Sequence, residues 1–194
     1  MKKRRAQKRN QQKPYATVSS RSFKTTPWSV FKEDRFVLPS GKMGSYYYHH
    51  SEGGVFIVPV LQGGNVLLLR QYRYLLGRES IEFPGGGVGR GEIPRVAAVR
   101  ELKEETGFSA RVTKKIGGFC PYNGVTNEWT SVFLASGLSR GAHSREEAEQ
   151  DIRTIECSPG KVDRLIASGK IFDGQSIVAW EFAKKYMKNR KSVE

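Results

Sequence analysis

The chain has 194 residues, of which 38% are hydrophobic and 27% charged, an ordinary composition for one soluble domain carrying a tail. Its longest apolar run, Val55 to Leu61, spans seven residues and is too short to cross a bilayer. The two cysteines, Cys120 and Cys157, exclude a disulfide scaffold or a zinc cluster, and no apolar run follows the basic start, so no secretory leader is expected.

Net charge is +14, unevenly placed. Residues 1–24 hold nine Lys or Arg and no acid, which leaves 24 basic against 19 acidic residues in the rest. Like charge without apolar periodicity predicts a disordered arm over 1–24. Weak attraction to nucleic acid or anionic surfaces is its expected side effect.

After the arm, Trp28–Leu38 and Ser45–His50 read as two strands around Pro39-Ser40-Gly41, a hairpin region covering 25–52. The main domain, 53–194, opens with buried strands at Val55–Leu61 and Val66–Gln71, joined by Gly63-Gly64-Asn65. A strand at Glu79–Phe83 ends at Pro84, and five glycines follow within residues 85–91. Pro94 and Gly107 bracket a helix over Pro94–Thr106, since Pro suits a first turn and Gly the position past the end. Strands are predicted near Arg111–Phe119 and Thr130–Ala135, and helices over Pro159–Ala167 and Ser176–Lys188. This order of elements predicts an α+β or mixed-sandwich fold.

The central helix carries Arg100-Glu101-Leu102-Lys103-Glu104-Glu105. At about 100° per residue, the three glutamates share one arc of roughly 100°, beside an apolar face that includes Ala98 and Leu102. Converging carboxylates repel one another unless a cation neutralises them, and oxygen donors without His or Cys favour Mg²⁺ or Mn²⁺ over zinc. The glycine loop before the helix lets backbone approach that cluster. Arg100 lies one turn from Glu104 and is placed for an ion pair.

Gly86, Glu92 and the run Arg100-Glu101-Leu102-Lys103-Glu104-Glu105-Thr106-Gly107-Phe108 match in spacing the box of the Nudix hydrolases, and the chain resembles that superfamily. Phe108 stands where the family usually has an aliphatic residue. The resemblance implies a Nudix α/β/α sandwich with a mixed sheet, preceded by an antiparallel hairpin region. It also implies divalent-metal-dependent cleavage of a nucleoside diphosphate linked to another group. On this sequence it would make Glu101 and Glu105 the principal metal ligands, with Glu104 and the carbonyl of Gly85 completing the set. Gly86 and Gly107 would be structural, while Glu92 and Arg100 would orient loop and helix.

The flanks narrow the resemblance. Arg70-Gln71-Tyr72-Arg73 followed by Ile81-Glu82-Phe83-Pro84-Gly85-Gly86, together with the front hairpin, is similar to the ADP-ribose and nucleoside-diphosphate-sugar pyrophosphatases. That similarity implies hydrolysis to a nucleoside monophosphate and a sugar phosphate. Arg73 would contact the pyrophosphate, as bidentate guanidinium chemistry suits, and Glu82 would lie in the same site. Arg70 would be a further contact, and Trp28 and Tyr46 would stack on the base. The segment Pro121-Tyr122-Asn123-Gly124-Val125-Thr126-Asn127-Glu128 resembles the group's Pro/Gly loop. A later loop, Glu146–Asp151, would supply the general base: the family's glutamate falls on Gln150, which takes no proton, leaving Glu149, then Glu147, or a box glutamate such as Glu104. The group also implies a homodimer exchanging its hairpins, and a cytoplasmic enzyme is expected. The alternatives are hydrolysis of dinucleoside polyphosphates or of RNA 5′ ends, the latter favoured slightly by the basic arm, and a non-catalytic nucleotide-sensing module, which the intact carboxylates disfavour.

Overall fold

The apolar run at 55–61 is continuous because both its faces are covered. In the computed structural model, which describes residues 15–26, 29–141 and 152–191, the run forms β4 (Gly54–Val60). Val55 and Ile57 pack on one side against Ala97, Ala98 and Leu102 of α1 (Pro94–Thr106). Phe56 and Val58 pack on the other side in a cluster with Val162 of α2 (Pro159–Ala167) and Ala179, Trp180 and Ala183 of α3 (Gly174–Lys191). Helices on both faces of a sheet are what a strand without polar alternation requires.

That sheet has seven strands. Besides β4 it contains β5 (Val66–Arg73), β6 (Arg78–Glu82), β7 (Gly85–Gly87), β8 (Phe108–Phe119), β9 (Thr130–Arg140) and β10 (Arg153–Cys157). The main order is β10-β5-β4-β9-β8, with β6 on β5 and β7 on β4. The β4–β9 pair is parallel and every other pair antiparallel, so the sheet is mixed. β4 and β5 share register only at Val60↔Val66. Beyond that point β5 turns to β6 and β4 pairs with β7, which sets the glycine segment in the sheet beside α1. The α+β sandwich predicted from the order of elements is the fold observed.

The chain divides into two compact units, residues 1–50 and 51–194. The first is a three-stranded antiparallel sheet of β1 (Ala16–Thr25), β2 (Val30–Val37) and β3 (Met43–His50), in that order. Here the sequence reading needs correction: residues 16–24 belong to a strand, not to a disordered arm over 1–24. Every residue of β1 is exposed, so no apolar alternation betrays it. It is held by its backbone ladder to β2 and by Arg21 on Glu33, whose Nε–Oε2 distance is 2.6 Å. The unit boundary at 50/51 lies close to the predicted end of the hairpin region at 52.

Two further strands were not predicted. Gly85–Gly87, expected as loop, forms β7, because glycine without a side chain can lie flat against β4. Arg153–Cys157, left between elements, pairs with β5 from Arg153↔Arg70 to Cys157↔Val66. Helix α1 ends as expected: Gly107 adopts φ 73° and donates its amide to the Lys103 carbonyl at 2.9 Å. Among the described residues, no helix is long and apolar enough to cross a membrane.

Candidate active site

The glutamates of α1 meet β7 at close range. Glu101 and Glu105 are buried while Glu104 is half-buried. The Gly85 amide donates to Glu105 Oε2 at 2.8 Å. Glu101 fills the space where a side chain at position 86 would sit: a Cβ there would lie 2.3 Å from Glu101 Oε1. A Cβ at Gly85 would lie 2.4 Å from the Val55 carbonyl oxygen. Gly85 is thus demanded by space against backbone, while the obstacle at Gly86 is the Glu101 carboxylate, which Arg100 holds.

Arg100 organises the same region. Its Nη1 donates to Glu101 Oε1 at 2.8 Å and to Glu104 Oε2 at 2.9 Å. Its Nε and Nη2 each donate to Glu92 at 3.1 Å, and Nη2 also reaches the Gly87 carbonyl at 3.0 Å. Glu92 in turn accepts the Gly89 amide at 2.8 Å. Charge-assisted bonding from Arg100, helped by the Gly89 amide, holds the Glu92 carboxyl below the usual carboxylate range, against a smaller opposing effect of burial. The carboxylates around Arg100 push its own pKa further up, with Glu92 contributing most. The guanidinium therefore stays charged and clamps the 87–92 segment to α1.

A second ion pair stands on the β5–β6 hairpin. Arg73 Nε donates to Glu82 Oε1 at 2.9 Å, and Nη2 closes a bidentate bond to Oε2. Gln71 Nε2 donates to the same Oε2 at 3.3 Å. Glu82 is buried, while half of the Arg73 side chain is exposed. The Glu82 hydrogen bond is the main cause raising the Arg73 pKa, and the charges of Asp173 and Glu105 add to it. Glu82 lies three residues before Gly85, whose amide bonds Glu105, so the chain runs directly from this pair to the α1 carboxylates. Arg70, an odd number of residues away on the same strand, projects from the opposite face and lies 3.9 Å from Glu79 in an exposed pair.

The NUDIX domain family matches residues 50–176, more than half of the chain. The chain belongs to the Nudix family. Among curated relatives, an ADP-ribose pyrophosphatase of Bacillus subtilis is 32% identical over 146 residues, covering 75% of this chain and 79% of the relative. A methanol dehydrogenase activator of Bacillus methanolicus is 27% identical over 150 residues, covering 77% of this chain and 81% of the relative. A crystal structure of an ADP compounds hydrolase superposes with a TM-score of 0.79 at 16% identity, covering 92% of this chain and 96% of that one; at that identity the likeness is one of fold.

A Nudix domain implies a divalent cation, and the donors here fit one. Glu101 and Glu105 lie on one buried face of α1, all available side-chain donors are carboxylate oxygens, and the bare backbone at Gly86 makes room for Glu101. As the side chains lie, no three His, Cys, Asp or Glu among the described residues surround one point; Glu101 and Glu104 both accept from Arg100 Nη1.

Of the other residues singled out from the sequence, Tyr46 is exposed on β3 in register with Asp34 of the N-terminal sheet. Trp28, Glu147, Glu149 and Gln150 lie outside the described residues. Gln71, which donates to Glu82, and Asp173, whose charge helps raise the Arg73 pKa, are not singled out by the sequence. Asp173 caps α3, accepting the Ser176 amide at 2.7 Å, and an Asp directly before a helix is a helix-start signal. With Gln175, Phe119, Cys120, Pro121 and Tyr122, Asp173 lines a cavity of about 260 Å³.

Proposed function

We propose that this Nudix protein hydrolyses the diphosphate linkage of ADP-ribose or a related nucleoside diphosphate sugar, yielding a nucleoside monophosphate and a sugar phosphate. The observation that carries the reading is two features on one run of chain: the α1 carboxylates buried against Gly85 and Gly86, and, three residues before Gly85, Glu82 holding Arg73. The name of the 32% identical relative supports the substrate class.

In this reading Glu101, Glu104 and Glu105, with the Gly85 carbonyl, hold Mg²⁺, or Mn²⁺ in its place. The cation, when bound, neutralises phosphate charge and lowers the pKa of water. Arg73, fixed by Glu82 with half its surface open, presents charge to the diphosphate. Arg100 keeps Glu101 and Glu104 at their stations and fastens the glycine segment through Gly87 and Glu92. The proton of the attacking water passes to a carboxylate; Glu149 is our first choice, then Glu147. Trp28 and Tyr46 are assigned to the base, Arg70 to an outer contact, and the working form to a cytoplasmic homodimer.

Purified protein with Mg²⁺ is to be offered ADP-ribose, GDP-mannose, UDP-glucose, diadenosine polyphosphates and triphosphorylated RNA, with products separated by chromatography. AMP and ribose 5-phosphate from ADP-ribose, or the corresponding pair from a nucleotide sugar, is the expected outcome. Turnover confined to polyphosphates or RNA overturns the substrate assignment.

A further inference from the structure

The recess where α3 begins takes no part in holding a cation or a diphosphate in the proposed function. Its apolar walls are Phe119, Pro121, Tyr122 and Val178, and its polar side chains are the Asp173 carboxylate and the Gln175 amide. At about 260 Å³ it falls below the roughly 300 Å³ at which sites for whole small molecules begin. It has room for part of a ligand, a single ring with its substituents.

Hydrogen bonds tie this recess to the run that carries Glu82. Asp173 Oδ2 accepts the Ser176 amide at 2.7 Å, and Ser176 Oγ accepts the Phe83 amide at 2.9 Å. Phe83 directly follows Glu82, which holds Arg73. Next to Asp173, the centre of the Phe172 ring lies 3.8 Å from the Arg78 guanidinium carbon, at the start of β6. Asp173 is therefore fixed beside the hairpin that presents Arg73. The Glu82 hydrogen bond is the main cause raising the Arg73 pKa, and the charge of Asp173 adds to it.

The recess has one charge, and it is negative. Asp173 is the only charged residue lining it, and among the described residues it makes no ion pair. A phosphate or a second carboxylate brought against it meets a like charge with no cation in the recess to offset it. Hydroxyl groups suit it instead: they donate to a carboxylate, and they accept from an amide. Gln175 Oε1 accepts from Thr130 Oγ1 at 3.4 Å, which leaves the Gln175 Nε2 donor for a ligand oxygen. The rings of Phe119 and Tyr122 give the carbon face of such a ligand an apolar wall. In the proposed function the diphosphate lies at Arg73 and the base is assigned to Trp28 and Tyr46, so the group left for the recess is the second half of the substrate.

We propose that Asp173 determines specificity in this recess, admitting neutral hydroxylated sugars as the second half of the substrate and rejecting those that carry a carboxylate or a phosphate. The inference rests on the nucleotide-sugar reading and sets a limit to it. Uronic acid and phosphosugar derivatives are poor substrates, and so are RNA 5′ ends and dinucleoside polyphosphates, whose second halves are anionic.

In the test, full-length protein with Mg²⁺ hydrolyses the best nucleotide sugar of the panel while two competitors with the same base are titrated against it. These are the nucleoside diphosphate glucose and the matching glucuronate, which differ only in a carboxylate on the sugar. The readout is the ratio of their inhibition constants, with KM standing in for either one that is itself the substrate. In wild type the glucuronate should be weaker by at least about 10-fold. Asp173→Asn keeps an acceptor for the Ser176 amide, and it should narrow the ratio to within about 3-fold by binding the glucuronate more tightly than wild type does. Gln175→Glu keeps an acceptor for Thr130 and adds a second negative charge, so it should widen the ratio.

A purely structural role for Asp173 shifts both constants by one factor and leaves their ratio unchanged, which overturns the proposal. A wild-type ratio near one overturns it too, as does failure of both competitors to inhibit. Circular dichroism melts establish that each variant folds; if Asp173→Asn does not, an unchanged ratio in Gln175→Glu counts against the proposal and a widened one supports it. If no nucleotide sugar is hydrolysed, the nucleotide-sugar reading has failed and the inference falls with it. Failure of the inference alone leaves that hydrolysis intact.

Discussion

Gly85 donates its amide to Glu105 at 2.8 Å, one residue before the point where a Cβ on Gly86 would collide with Glu101. Two consecutive glycines of β7 therefore meet two glutamates that are one helical turn apart on α1. The contact needs bare backbone on one side and a straight helix on the other, and it fixes where the carboxylates stand.

Gly86→Ala tests that spacing. The new methyl group would lie 2.3 Å from Glu101 Oε1, so either the carboxylate or β7 must move. We expect a stability loss of about 1–3 kcal/mol from overpacking and a kcat loss on the order of 100-fold from misplacement. Thermal melts and steady-state kinetics on the same samples separate the two; unchanged kcat would show that Glu101 can shift without consequence.

Arg73→Gln removes the fork from a buried carboxylate. Glu82 keeps only the 3.3 Å bond from Gln71 among the side-chain bonds seen here, and we expect a cost of about 1–3 kcal/mol, below that of a fully buried pair because Arg73 is half exposed. The same change should lower kcat/KM at least about 10-fold by removing a charged phosphate contact. Arg73→Lys keeps the charge but not the bidentate geometry, so it should recover activity only in part. Full activity in the lysine variant would count against a geometric role.

The Glu92–Arg100 pair makes a pH prediction. Glu92 has a folded-state pKa below its ordinary value, so its contribution to stability is present above the unfolded pKa and is lost as pH falls through the folded one. Glu92→Gln removes the dependence. The gap in melting temperature between wild type and variant should be open at neutral pH and close as pH drops below the usual carboxylate range. A gap of constant size across the titration would mean that the stabilisation does not depend on the carboxylate charge.

Ser176 connects the core to the site. Its buried hydroxyl accepts the Phe83 amide at 2.9 Å, and the Phe83 ring stacks on Trp180 at 5.9 Å. Phe83 leads through Pro84 into Gly85. Ser176→Ala leaves that amide without its acceptor, at a cost of about 1–3 kcal/mol, and should lower kcat as well as stability. Equal stability to wild type in denaturant titrations would show that water replaces the hydroxyl.

How much of this was legible in the sequence depends on whether the signal was local. Helix α1 matched its predicted limits because Pro94 and Gly107 act within their own turn, and the Glu101–Glu104–Glu105 arc follows from helical period alone. β1 escapes the sequence because a strand exposed on both faces shows no alternation, and residues 1–24, with nine Lys or Arg and no acid, read as a tail. Arg73 and Glu82 are nine residues apart, and only the hairpin register from Leu69↔Glu82 to Arg73↔Arg78 brings them into one bidentate pair; the sequence suggested them through family resemblance, not through spacing. Gln71 stands inside the run that carries that resemblance but has no role in it, and its bond to Glu82, like the cap that Asp173 places on α3, comes from the folded structure.

The most direct measurement is the turnover of Glu105→Gln on ADP-ribose at saturating Mg²⁺, beside its thermal melt. The substitution keeps the size of the side chain and an oxygen for the Gly85 amide, so the fold should persist with a melting temperature near that of wild type. If Glu105 is a metal ligand of a Nudix hydrolase site, kcat should fall by at least about 100-fold. A folded variant with near wild-type kcat would contradict the assignment of the α1 carboxylates.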